Sequence, residues 1–368
     1  MALAGEVAFI RVFDLCGTMD LKKARTLLGP MVESSAVTSP RAAPDYIQFT
    51  VPLVLDLTTL NLELKSPDGG PVSASARLYE AGALAITLRQ PIEGEQLSEL
   101  SRYAPQEVTL RGKHMRRAQA FTQIFEELKT KLLPSREEVF DPSVEEETYT
   151  AYCLTLAPGG AERMFSEERP QLAALLIGDP QPERLSQDQI EEILKNWSSY
   201  YRDDLVVADW DAALLVEPNS KYEDLLYIFE AANMQLLLLR KYDYYLDVVL
   251  ERGYDEFERV AKYPTILPFA SRRMLHDLSL VRMDLAEVTD ELANAAKFFG
   301  DWYVARVYLG LKSKLHVADY QSVVEEKLRT LNELYESVLA EVNHRQSLLL
   351  EITVVLLILI EIGLSFRH

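Results

Sequence analysis

The chain has 368 residues, of which 48% are hydrophobic and 26% charged, a balance that excludes wholesale disorder, collagen and low-complexity classes. Its 38 Lys and Arg against 57 Asp and Glu give a net charge of −19, so general DNA binding through clustered cations is excluded. Two cysteines, Cys16 and Cys153, cannot build a disulfide scaffold or a four-thiolate zinc site, and the five histidines are scattered.

The N-terminus lacks the basic start and apolar run of a secretory signal, and it is not Arg- and Ser-rich as a transit peptide would be. Residues 6–14 alternate as a strand does. A second strand is predicted over 46–55, with Pro52 marking an edge. Residues 60–65 and 72–79 flank Pro67-Asp68-Gly69-Gly70, which predicts a hairpin, and 83–89 follows as a third strand of an antiparallel meander. Residues 105–133 read as helical up to Pro134, 136–147 as an acidic loop, and 148–156 as a further strand. Ser186 is the expected N-cap of a helix over 186–196, and short strands are expected at 204–208 and 212–216. From Lys221 onward the pattern is helical, at 222–252, 269–299 and 302–314, and then in one terminal helix. The predicted class is α+β, with an antiparallel-sheet N-terminal portion and an all-helical C-terminal portion ending in a long coiled-coil/transmembrane helix. The expected divisions are a globular domain at 1–220, a helical domain at 221–320, a coiled-coil helix at 321–347 and a membrane helix at 348–366.

The last segment carries the strongest signal. Fourteen of the nineteen residues 348–366 are Leu, Ile, Val or Phe, and nineteen helical residues span about 28 Å, near the thickness of a bilayer core. The apolar residues contribute roughly −4 to −8 kcal/mol to insertion, and one mid-span carboxylate, Glu361, costs about 2.5–3.5 kcal/mol. Insertion is modestly favoured, with Ile352, Val355, Leu356, Leu359 and Glu361 in the span, and a buried core helix of a soluble bundle is the alternative. Upstream, Val324, Leu328, Leu331, Tyr335, Val338 and Val342 follow a 4-3 spacing that continues through Leu349, Ile352, Leu356 and Leu359. Such a seam predicts a coiled coil joining copies of the chain, or a bundle helix packed against the chain's own upstream helices.

Three further groups could carry chemistry. Asp203, Asp204, Asp209 and Asp211 offer carboxylates to a hard cation, and turn-forming aspartates are the alternative. Arg111, Lys113, Arg116 and Arg117 place four cations within seven residues, suited to an RNA backbone or an anionic lipid surface, or to a solvated helix start. Glu230, Asn233, Gln235, Arg240, Asp243 and Asp247 stand among Leu and Tyr, which predicts a polar network fixing helix register. No phosphate loop, dinucleotide fingerprint or nucleophile elbow is present.

The terminal block, from Leu328-Arg329-Thr330-Leu331 through His344-Arg345 to Leu350-Glu351-Ile352 and Glu361-Ile362, resembles the end of the required-for-meiotic-nuclear-division family, also called domain of unknown function 155. The resemblance implies a membrane helix behind a coiled coil, homo-oligomers, and, for eukaryotic members, a mitochondrial role in organelle translation with no established catalysis. The expected function is a non-enzymatic, tail-anchored oligomeric membrane scaffold or adaptor without cofactors. Its partners would be the lipid bilayer and other copies of the chain, with possible RNA or ribosome contact and no DNA. It would sit in a bacterial inner membrane with its globular part cytoplasmic, or in the mitochondrial inner membrane of a eukaryote. The alternatives are a soluble metal-dependent hydrolase built on the aspartates and an RNA-associated adaptor.

Overall fold

A computed structural model describes residues 3–15, 18–33, 52–103, 107–135, 146–262 and 302–365. The chain divides into two compact units. One comprises Met1–Arg240 with Glu287–Asp319, and the other Lys241–Ala286 with Tyr320–His368. These units cut across the divisions expected from the sequence, because the first recruits a late helix as well as the N-terminal half. The α+β class holds, with a sheet in the first half and helices in the second.

In the first unit the strands are β1 (Leu3–Asp14), β2 (Leu53–Asp56), β3 (Ser73–Leu78), β4 (Ala83–Glu95), β5 (Glu107–Leu110), β6 (Lys113–Arg116), β7 (Glu146–Thr155), β8 (Trp197–Ser198), β9 (Leu205–Ala208) and β10 (Ala212–Val216). Helices α1 (Leu21–Leu28), α2 (Arg117–Leu132), α3 (Gly160–Glu167), α4 (Arg169–Ile177) and α5 (Gln187–Ile193) are interspersed, and α6 (Glu223–Lys262), which belongs to this unit as far as Arg240, and α7 (Trp302–Lys314) follow. Eight strands form one sheet in the order β2-β3-β4-β1-β7-β10-β9-β8, while β5 and β6 pair separately. Every pairing in the large sheet is antiparallel except β7 with β10. The sheet is therefore mixed rather than purely antiparallel.

The period-two alternation of β1 divides two layers. Val7, Phe9 and Phe13 join an apolar cluster with Ala24 and Leu28 of α1, Phe121 and Phe125 of α2, and Leu172 and Leu175 of α4. Phe13 stacks on Phe125 with centroids 4.4 Å apart. Glu6, Ala8, Ile10 and Val12 point the other way, as do Ala85, Ala151 and Ala213 on neighbouring strands. These small residues leave room for α6, whose Phe229 stacks 5.3 Å from Tyr149. Helix α7 joins this second layer through Tyr308, whose hydroxyl lies 3.1 Å from Gln235. Gly5 is required where β1 meets β7: at φ +149° a Cβ there would sit 2.0 Å from the carbonyl oxygen of Cys153.

Several sequence expectations need correction. Residues 105–133 are not one helix, since β5 and β6 form a hairpin before α2 begins at Arg117. Its turn residues Arg111 and Gly112 have φ +51° and +77°, the left-handed pair of a tight primed turn. Residues 60–65 are not a strand either. Asn61 and Glu63 take positive φ, only Lys65 makes an isolated bridge to Pro71, and β3 pairs with β2 instead. Ser186 caps α5 as expected, accepting from Gln189 N–H at 3.2 Å. The helix expected at 269–299, the strand segment 46–51 and the loop at 136–145 lie outside the described residues.

In the second unit, the final helix α8 (Val317–Ser365) contributes nearly all its length. Lys327 on α8 pairs with both Asp243 and Asp247 of α6, each at 2.6 Å. Burial works against the Lys327 charge, and the hydrogen bonds to the two aspartates outweigh it, holding its pKa above the ordinary value.

Candidate functional site

The end of α8 is the most unusual surface of the molecule. Twelve large apolar residues between Leu348 and Ile362 are exposed, from 43% at Leu348 to 68% at Leu350. They include Ile352, Val355, Leu356 and Leu359, and they occupy every face of the helix. A helix that is apolar all round normally lies inside protein or lipid. Glu351 and Glu361 are exposed within the same stretch. Among the described residues no helix is long and apolar enough to cross a membrane. The exposed run 348–362 spans about 22 Å at the α-helical rise, in a helix that continues to Ser365.

The upstream seam behaves differently. Val324, Leu328, Leu331 and Tyr335 are already buried within the single chain. The side chains of Val338 and Val342 lie outside the described residues.

The four aspartates are divided among separate structural tasks. Asp203 accepts the N–H of Gly159, the residue that caps α3. Asp204 accepts the N–H groups of Tyr200 and Tyr201 at 2.6 and 2.9 Å. Asp209 pairs with Lys314 at 2.8 Å, and its backbone holds the tight β9–β10 turn through a 2.8 Å bond from its N–H to the Ala212 carbonyl. The Asp211 carboxyl is held above the ordinary range by burial and by the charge of Asp209. Among the described residues no group of three or more His, Cys, Asp or Glu is placed to hold a metal ion.

The basic run is also split. Arg111 donates to the Leu60 carbonyl and to Glu127, both at 2.9 Å. Lys113 and Arg116 are exposed on β6. Arg117 is turned inward and 8% exposed, with its guanidinium carbon 3.3 Å from the centre of the Phe9 ring. It donates to the Tyr103 carbonyl at 3.0 Å, and burial lowers its pKa to about 10. Arg117 lines a cleft of about 240 Å³ together with Arg11 of β1, Thr148, Thr150 and Tyr152 of β7, and Asp211. Arg11 pairs with Glu146 at 2.9 Å and lies over the Phe121 ring, 5.3 Å from its centre.

The polar residues of α6 do meet partners, though not one another. Glu230, 1% exposed, receives Arg77 and the Thr87 hydroxyl, the latter at 2.7 Å. Asn233 donates to the Phe229 carbonyl at 2.8 Å, and Arg240 pairs with Glu147. The network extends to residues that sequence reasoning missed. Arg89 binds Glu223 and reaches Glu6 at 3.4 Å, while Arg77 reaches Glu223 at 3.5 Å. Burial raises the Glu6 carboxyl above its ordinary value, whereas the hydrogen bond from Arg89 lowers that of Glu223. The signal that could have found Arg11, Arg77 and Arg89 is a cation inside an otherwise apolar strand.

Comparison with known proteins places this architecture. The family model described as "Uncharacterized protein MJ0711, N-terminal domain" matches residues 4–223, which take in all of the sheet but Leu3 and stop where α6 begins. The uncharacterized protein MJ0711 of Methanocaldococcus jannaschii is 28% identical over 219 residues, covering 60% of this chain and 66% of that protein, just under two thirds of its length. No solved structure matches the chain. These matches overturn the resemblance to the required-for-meiotic-nuclear-division family.

Proposed function

The chain belongs to the MJ0711 N-terminal-domain family, and on that premise we propose that it is a non-enzymatic scaffold whose α+β module is carried on a membrane by its terminal helix. The observation that supports this reading is the all-round exposure of the twelve large apolar side chains between Leu348 and Ile362. Removing each from water is worth about 1.5–3 kcal/mol. A single protein partner covers one stripe of a helix, whereas lipid covers all of them. Copies of the chain assemble side by side in the bilayer through the exposed positions Leu349, Ile352, Leu356 and Leu359, which keep the 4-3 spacing. Glu351 sits at the interface. Glu361 lies two residues past Leu359, off that seam, where a carboxylate facing hydrocarbon is costly. The acidic group does not support hydrolysis, since Asp203, Asp204 and Asp209 serve a cap, a turn and an ion pair, and the basic run is not one patch for RNA, since Arg111 is paired and Arg117 is turned inward.

Flotation of the full chain with liposomes tests the proposal. Intact protein rises with the vesicles, and a double Leu356→Arg, Leu359→Arg variant stays in the dense fraction, since each central arginine costs about 2.5–3.5 kcal/mol of insertion. Intact protein that remains monomeric and vesicle-free without detergent refutes it.

A further inference from the structure

We propose that the cleft holding Arg11 and Arg117 is a binding site for a small oxyanion, a carboxylate or phosphate group. It lies inside the family-matched module and does not depend on membrane attachment. Its floor is the sheet face formed by Phe9 and Arg11 of β1 and by alternate β7 residues Thr148, Thr150 and Tyr152. Its walls are the first turn of α2 and the last turn of α4.

Three features point to an anion. Two guanidiniums line one small cleft, and each is fixed in orientation by an aromatic face, Phe9 under Arg117 and Phe121 under Arg11. A planar guanidinium held this way presents its in-plane N–H donors in a geometry that matches a carboxylate or phosphate edge. The two cations also oppose each other. The charge of Arg11 adds to the burial that depresses Arg117, so an anion between them would relieve both groups. The first turn of α2 and the last turn of α4 border the same space, so their opposite dipole ends offset and the preference for an anion comes from the side chains. Hydroxyls of Thr148, Thr150 and Tyr152 supply neutral donors of the kind that orient a bound oxyanion. Two carboxyls are near. Glu146 is engaged by Arg11, and the carboxyl of Asp211 is raised above its ordinary pKa by burial and by the charge of Asp209. The volume of about 240 Å³ suits a small metabolite rather than a nucleotide or a peptide.

Calorimetric titration of the full-length protein with inorganic phosphate, and separately with succinate, tests the assignment against matched chloride. Saturable binding of one anion is expected, and the anion that binds identifies the headgroup. Arg11→Gln and Arg117→Gln should each weaken it by roughly ten- to a hundredfold, the worth of a hydrogen bond to a charged group. Circular dichroism of both variants verifies folding. If Arg117→Gln does not fold, Arg11→Gln alone decides. No heat beyond chloride with either anion, or unchanged affinity in the folded variants, overturns the site.

Discussion

Truncating Glu230 to alanine should be among the most damaging single changes to the first unit. The Glu230 side chain is 2% exposed and that of its partner Arg77 is 13% exposed, so the change leaves a guanidinium in a largely dry layer between α6 and the sheet. Breaking a buried pair in this way costs about 3–5 kcal/mol. The 2.7 Å bond from Thr87 is lost as well, adding about 1 kcal/mol. Glu223 stands 3.5 Å from Arg77 and is itself 60% exposed. It offers weak compensation, which places the expected loss near 3–4 kcal/mol rather than at the top of the range. The control is a double Arg77→Met, Glu230→Met variant, which removes both charges and should recover most of the loss. Urea unfolding followed by tryptophan fluorescence is the assay, since Trp197, Trp210 and Trp302 all lie in the first unit. A Glu230→Ala loss below about 1 kcal/mol, or a double variant no better than the single, would refute the view that this buried charge pairing governs stability.

Gly5→Ala should lower the melting temperature sharply or prevent folding, because its Cβ would meet the Cys153 carbonyl at 2.0 Å and neither backbone can yield; scanning calorimetry would show it. The pH dependence has a defined sign at Glu6. Burial raises this carboxyl above 4.5, so its proton favours the folded state at low pH, and that advantage is lost as pH rises through the folded pKa. Glu223, lowered by Arg89, acts oppositely: its contribution is present above 4.5 and is lost as pH falls through its folded value. Glu6→Gln should therefore lose less stability than wild type as pH rises from 4.5 through the folded pKa of Glu6, as urea midpoints along that series would reveal. Lys327→Met should weaken the second unit by about 1 kcal/mol, visible as faster amide exchange in α8 near residue 327, because one partly exposed ammonium serves two aspartates.

Much of this was legible where local chemistry and local structure agree. Ser186 precedes Gln189 at capping distance, Ala212–Val216 is a short apolar run bounded by turn residues, and the strand core of β1 reads directly from its alternation. The failures occurred where one pattern admits two structures. The helical reading of 105–133 overlooks the period-two spacing of Val108 and Leu110 and the Arg111-Gly112 hairpin turn behind it. The pairing of β7 with β10 is a long-range choice that no local window contains. Periodicity identified Val324, Leu328, Leu331 and Tyr335 as contact positions, yet it cannot tell a partner in the same chain from a second copy, and all four are buried in one chain. The family resemblance drew on aliphatic residues and glutamates in one helix, a pattern that unrelated apolar helices share. The arginine cleft went unread because Arg11 and Arg117 are separated by more than a hundred residues and meet only through the β1–α2 packing.

The position of β1 also governs how the protein is made. This first strand occupies the middle of the sheet, between β4 and β7, so both of its edges wait for chain synthesised later. On a ribosome its open backbone would stay available to neighbouring nascent chains until Glu146–Thr155 had left the exit tunnel. A pause placed once that stretch has cleared the tunnel should therefore raise the soluble yield, whereas a pause before it has emerged should promote inclusion bodies.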